Sequence, residues 1–311
     1  MRIFVAGATG ALGRRLVPQL LARGHEVVAM TRDAARAAGL EAAGARIAVA
    51  DALEGTAMAD AIADARPDVV VHQLTALTGI GDLRNFDREF ATTNRLRREG
   101  TDRIIAAARA AGAHRLVAQS FAGWPYAREG GPVKTEEDAL DPSPVAAMRE
   151  THAALRHLEA AVTGAEGMDG LVLRYGGFYG PGSGMARGAE QWEVVRARKF
   201  PIVGDGGGVW SFIHVADAAE ATVAAIEHGS RGVYNVVDDD PAPVAEWLPA
   251  LAEELGAKKP VRVPRFIGRL FAGEAGAVMM TELRGASNAK AKRELGWHPA
   301  HPSWRHGLAA A

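Results

Sequence analysis

The chain of 311 residues contains no cysteine. That excludes disulfide bonds, thiolate catalysis and cysteine-ligated metals. It also lacks a charge excess: 36 lysines and arginines stand against 37 acidic residues, a formal net charge of −1. Without a basic surplus, nucleic acid is not an expected partner. The apolar runs are far shorter than a bilayer demands, so no membrane span is expected either. The opening MRIFVAGATG enters an apolar strand at once and does not have the form of a secretion signal. A cytoplasmic location is the resulting expectation. Tyrosine is scarce, four in all, so few phenols are available as acids.

What is present is apolar residue in quantity, 48% of the chain, enough for a sizeable core. RIFVAG is an apolar strand ending in glycine, and apolar spacing at Leu12, Leu16, Leu20 and Leu21 predicts a helix that Gly24 stops. Pro18 falls inside that helix and is expected to cost a backbone bond. HEVVAMTR, ARIAVAD, PDVVVHQ, HRLVAQS and DGLVLRY follow as strands, with helical stretches around 34–43, 54–65, 87–111 and 145–164. Strands alternating with helices predict an α/β fold, a doubly wound parallel sheet covered on both faces. After residue 175 the texture turns glycine-rich and loop-rich. The expected organisation is a dinucleotide-binding domain over 1–175 and a smaller C-terminal substrate lobe over 176–311, with segments near 210–240 returning to the sheet.

GATGALG places Gly7, Gly10 and Gly13 between the first strand and the first helix. Gly7 suits a tight turn, Gly10 lets backbone approach a pyrophosphate, and Gly13 lets helix and strand pack closely. The helix N-terminus offers free N–H groups to phosphates. Gly7, Thr9, Gly10, Ala11, Leu12, Gly13 and Arg14 are therefore the expected cofactor-binding positions on this loop. At the tip of the second strand, where a carboxylate would hold the ribose of NAD, the chain has Thr31 and Arg32. Arg32 can pair with a 2′-phosphate, with Arg14 and Arg36 as helpers. Asp33, one residue on, could instead serve NAD. NADP is the expected cofactor, ahead of NAD.

Several motifs in order carry a resemblance. They are GATGALG, Asp51 after the third strand, VVHQLTAL after the fourth, Asn94 in TTNRLRREGT and Ser120 ending the fifth. GGFYGPG, GDGGGVWSFIHVADAA, YNVVDD and RELGWHP complete the set. In these the chain resembles the extended short-chain dehydrogenase/reductases, of the NAD-dependent epimerase/dehydratase type. The resemblance implies that Asp51, with Ala52, binds adenine. It implies that Leu74 and Thr75 line the cofactor along with Asn94, and that Gly177 and Phe178 lie near the nicotinamide. Family members are often dimers through helices corresponding to 87–111 and 145–164, so a homodimer is implied as well.

The family's chemistry uses a YxxxK motif on the helix before the sixth strand. Here Met148 stands at the tyrosine and His152 at the lysine. No tyrosine lies between Tyr126 and Tyr175 and no lysine between Lys134 and Lys199, so no small shift restores the motif. The replacement candidates are His152, as acid–base group or ribose ligand, and Tyr126 in the loop after Ser120. Ser120 retains the family hydroxyl. Each has a plainer alternative as a packed residue. Members that act on nucleotide sugars commonly carry an arginine where this chain has Trp210. With Trp124, Met148, Tyr179, Trp192 and Phe178, it is expected to line an apolar pocket. No metal site is apparent.

The function expected from these residues is an NADP-dependent oxidoreductase, or an epimerase/dehydratase-like enzyme of atypical type, acting on a small, rather apolar carbonyl or hydroxyl compound. The alternatives are a non-redox lyase or isomerase that retains the dinucleotide and a non-enzymatic dinucleotide-binding regulator.

Overall fold

A computed structural model describes residues 1–77, 82–186, 188 and 190–307. Seven strands form its main sheet: β1 (Arg2–Ala6), β2 (Glu26–Thr31), β3 (Arg46–Val49), β4 (Val69–His72), β5 (Arg115–Phe121), β6 (Asp169–Tyr175) and β7 (Gly232–Val236). All pair in parallel, in the order β7-β6-β5-β4-β1-β2-β3. The valines of β4 are buried throughout, as expected of a central parallel strand covered on both faces. Strand order reverses between β1 and β4, so a crevice opens there at the carboxyl ends of the strands.

Helices cover both faces. Leu16, Val17 and Leu20 of α1 (Gly13–Ala22) share one apolar layer with Ala218, Ala221 and Ala225 of the Val215–His228 helix. The other layer takes Met58 and Ile62, Ile104, and Leu158 and Val162 from three further helices, Ala57–Ala65, Thr101–Ala110 and Arg149–Thr163. Pro18 lies inside α1, where it removes one ladder hydrogen bond.

The stretch expected as one helix over 87–111 is a run of short ones. Phe86–Glu89 and Ala91–Arg95 lead into a π-helical turn over Leu96–Gly100, followed by Thr101–Ala110. After β6, strand Gly177–Tyr179 pairs in parallel with Phe212–His214. Phe212, Tyr179, Trp247 and Trp304 form the core of the C-terminal part. Its Arg265–Thr281 helix breaks at Gly273, with φ +70°; a Cβ there would come within 2.7 Å of the Arg84 Cα. Among the described residues no helix is long and apolar enough to cross a membrane.

Candidate active site

The glycine turn sits at the switch point. Gly7 has φ +90°, and a Cβ on it would lie 2.6 Å from the Gln73 carbonyl oxygen at the end of β4. Gly13 presses α1 on the turn so closely that a Cβ would meet the Ala8 carbonyl at 2.5 Å. Gly10 differs: its nearest protein atom would be the Gly7 carbonyl oxygen at 3.3 Å, so the space over it is open to a ligand. No side chain caps the start of α1 and no acidic residue occupies its first turn. Its N–H groups and dipole are left for an anion. These features fit a pyrophosphate.

Thr9 and Thr31 join β1 and β2 through their hydroxyls, 3.1 Å apart. Arg14 donates from Nε to the Thr9 carbonyl at 3.0 Å, which holds it beside the turn. Leu12 is buried under α1, and Ala11 is partly covered. Arg32 extends from the tip of β2 with its side chain 67% exposed, 3.7 Å from the Asp51 carboxylate. Both line a cavity of about 560 Å³ that Ala50 and Glu54 complete. Asp51 also accepts from the Leu53 N–H at 2.8 Å, while Ala52 is packed in the core. Asp33 caps the following 3₁₀ turn by accepting from the Ala35 N–H. Leu74 donates its N–H to His72 Nδ1 at 3.2 Å, and Thr75 is half-buried beside it.

An aromatic group packs at the start of the Arg149–Thr163 helix. Trp124 is its centre: ring centroids of Phe121, Phe86, Phe90 and His152 lie 5.3, 5.5, 6.3 and 5.2 Å away. Met148 and Leu155 pack in the same apolar cluster. The expected pocket residues do not all meet here. Trp124 and Met148 do, and Trp210 packs against both this cluster and the C-terminal core while donating to the Met279 carbonyl at 2.9 Å. Tyr179 belongs to the C-terminal core. Trp192 is buried on the Glu190–Arg196 helix. Phe178 packs on Tyr175, and Gly177 pairs with Phe212.

His152 is buried against Trp124, and burial pushes its pKa down to about 4, so the ring is neutral at pH 7. It also lines a cavity of about 470 Å³ with Arg149, Arg156, Asp141, Ser143 and Pro144. The Arg149 side chain makes no hydrogen bond or ion pair among the described residues. Asp141 is paired with Arg128 at 3.0 Å.

Ser120 and Tyr126 belong to a different arrangement. Sheet register sets Ser120, Arg174 and Asn235 side by side on β5, β6 and β7. Glu159, from the Arg149–Thr163 helix, is gripped by Arg174 at 2.6 and 2.8 Å and accepts from the Ser120 hydroxyl at 2.6 Å. Tyr126 donates to Asn235 at 2.5 Å and accepts from Arg174 at 3.1 Å. Burial raises the Tyr126 pKa above the usual phenol value. Both hydroxyls are thus committed inside the protein. Asn94 is committed too, donating to Thr151 at 2.9 Å and accepting from Arg97 at 3.4 Å.

Sequence reasoning missed Phe86, Phe90 and Phe121, the Glu159–Arg174 pair and Arg97. The i, i+4 spacing of Phe86 and Phe90 was a usable signal; the others arise from packing of distant segments. It also found no metal site, whereas folding gathers His214, Asp217 and His301, with ligand atoms within 4.8 Å of one another. The His214 and His301 rings stack at 3.8 Å, and His214 Nδ1 accepts from the Ala216 N–H.

A glycine turn at the switch point of a doubly wound sheet and an uncapped helix N-terminus define a dinucleotide-binding α/β enzyme. The chain belongs to the NAD-dependent epimerase/dehydratase family, whose model matches residues 3–237. It is an NAD(P)-dependent enzyme of the oxidoreductase and epimerase type. It is 48% identical over 313 residues, 99% of each chain, to a Streptomyces protein named 3-diazoavenalumate denitrifying reductase. It is 31% identical to a 4-hydroxy-2-methyl-3-oxo-4-farnesyl-3,4-dihydroquinoline-1-oxide ketoreductase of Stigmatella aurantiaca, over 84% of this chain and 75% of the other. Among solved structures it resembles the UDP-glucose 4-epimerase of Thermus thermophilus in complex with NAD. There the TM-score is 0.74 and the identity 25%, over 99% of this chain and 97% of that one.

Proposed function

We propose that this protein is an NADP-dependent reductase that removes nitrogen from a conjugated diazo carboxylate. One observation carries the reading. Where the family has its tyrosine and lysine, the 3₁₀ turn ending at Met148 and the first turns of the Arg149–Thr163 helix bury Met148, Thr151, His152, Ala154 and Leu155. Thr151 is tied to Asp87 and Asn94, and His152 is neutral. Such a site is poor in proton donors. Carbonyl reduction generates an alkoxide and needs an acid. A diazo group conjugated to an oxygen does not: hydride on its terminal nitrogen gives an N=N–H group. Loss of N₂ leaves that hydrogen on carbon and an oxygen that is stable as an anion. In balance, R=N₂ with one hydride and one proton gives RH₂ and N₂, the proton coming from solvent. The name of the Streptomyces relative describes a reduction of this kind.

The bound dinucleotide supplies the hydride. Gly7, Gly10, Gly13 and the start of α1 suit its pyrophosphate, Asp51 and the cavity beside it the adenosine, and Arg32 a 2′-phosphate. Phe121 and Phe90, half-buried against Trp124 and Phe86, offer flat faces to a conjugated substrate. Trp210, a flat apolar ring without a guanidinium, does not favour a nucleotide sugar. The cavity beside His152 suits the carboxylate, with Arg149 as its partner. Ser120 and Tyr126 act in this reading as structural groups. The homodimer through the 87–111 and 145–164 helices, and the division into a dinucleotide lobe over 1–175 and a substrate lobe over 176–311, belong to the same reading.

A second reading is a ketoreductase, favoured by the Stigmatella relative. The test is to supply the protein with NADPH and an aromatic quinone diazide bearing a carboxylate, and separately with the corresponding ketone. The proposal expects equimolar NADPH oxidation and N₂ release from the first. Turnover of the ketone alone overturns it.

A further inference from the structure

We propose that Arg97 supplies the positive charge that the family places on its YxxxK lysine, and that its guanidinium donates to the hydroxyls of the nicotinamide-side ribose. The inference rests on the dinucleotide site and holds whichever substrate is reduced.

Arg97 lies in the π-helical turn Leu96–Gly100, with 6% of its surface exposed. Such turns recur at functional sites. A buried arginine ordinarily has a carboxylate partner, because a lone charge out of water is costly. Among the described residues no carboxylate stands within 4.0 Å of Arg97. Glu159 attracts it from a distance, but the oxygens of Glu159 are taken by Arg174 and Ser120. A guanidinium has five N–H donors. The hydrogen bond seen from Arg97 is a long one, 3.4 Å, to Asn94. Burial lowers its pKa to about 10, which still leaves it charged at pH 7. The donors and the charge therefore wait for an oxygen-rich ligand.

Its surroundings locate that ligand. The guanidinium carbon is 5.7 Å from the Phe90 ring centroid, and Phe90 packs on Trp124 in the aromatic cluster. Arg97 bears electrostatically on His72, the last residue of β4. The next residue, Gln73, abuts Gly7 of the phosphate turn. Asn94 links Arg97 to Thr151, on the helix where the family lysine belongs. Arg97 thus stands between the end of β4, the aromatic cluster and that helix. A ribose whose pyrophosphate rests on Gly10 and whose nicotinamide faces Trp124 passes beside it. His152 cannot provide the charge, being neutral.

The test compares Arg97→Met with Arg97→Lys, by fluorescence titration with NADPH and with an adenosine bisphosphate that carries the 2′-phosphate but no nicotinamide ribose. Arg97→Met should weaken NADPH binding by about tenfold to a hundredfold, the worth of a hydrogen bond or two from a charged donor. It should leave the adenosine fragment's affinity unchanged. Arg97→Lys should recover most of the loss. The midpoint of thermal unfolding should hold or rise with methionine, since a buried unpaired charge has been replaced by an apolar chain. Unchanged NADPH affinity overturns the proposal. So does an equal loss for both probes, or a fall in thermal stability that accounts for the weaker binding. None of these readouts depends on diazo turnover, so failure of the reaction assignment and failure of this inference are separable.

Discussion

The Ser120 hydroxyl donates to Glu159 at 2.6 Å, inside the protein and beneath the bidentate Arg174 pair. In the proposed reading a serine so committed is a structural group. Ser120→Ala should cost about 1–3 kcal/mol of stability, the penalty of leaving a buried charged acceptor short of a donor. It should leave kcat/KM unchanged. Tyr126→Phe should behave alike, through Asn235 and Arg174. Chemical denaturation alongside steady-state kinetics checks both; a stable but inactive Tyr126→Phe would restore the loop phenol as the acid.

The glycines of the phosphate turn should separate by experiment. Gly10→Val leaves the backbone unstrained but fills the space above the turn, so the protein should fold and fail to bind dinucleotide. Gly13→Val drives a side chain into the Ala8 carbonyl and should impair folding itself. Circular dichroism with cofactor titration distinguishes the two. A folded Gly10→Val that binds NADPH normally contradicts the assignment of the turn.

Arg32 should set the cofactor preference. NADPH should bind more tightly than NADH, and Arg32→Ala should remove about 1.5–3 kcal/mol of that difference, one charged hydrogen-bonding pair. Equal titration curves for the two dinucleotides in the unaltered protein would speak for Asp33 and NAD.

His152 and His72 are both neutral in the folded protein because burial pushes their pKa values down to about 4, against 6.5 when unfolded. The unfolded chain therefore binds more protons between those values. Stability should be full above pH 6.5 and fall as pH drops toward 4. His152→Gln should flatten part of that slope in urea melts taken across the interval. It should introduce no loss of turnover between neutral and alkaline pH, where the imidazole is already uncharged. A kinetic ionisation near neutrality that vanishes in the variant would make His152 the acid.

The sheet, its helices and the glycine turn were legible because they are local. Valine runs, helical spacing and the glycines at 7, 10 and 13 each act within a few residues. The absent tyrosine and lysine were legible too, as an exclusion. What replaced them was not. Glu159 meets Ser120 only because β5 and β6 are in register and a helix crosses them. Arg97 is buried within a π turn, which no local sequence pattern announces. Tyr179 left the expected pocket because the C-terminal core around Trp247 and Trp304 claimed it, and no short-range pattern encodes that competition.

The most direct test of the reductase assignment follows the hydride. The protein is given a quinone diazide carboxylate and NADPH deuterated at the transferring position, and the product is examined by mass spectrometry and NMR. The account predicts one deuterium, on the carbon that carried nitrogen, with one N₂ released per NADPH consumed. Product formed without deuterium at that carbon, or NADPH oxidised without loss of N₂, would contradict it.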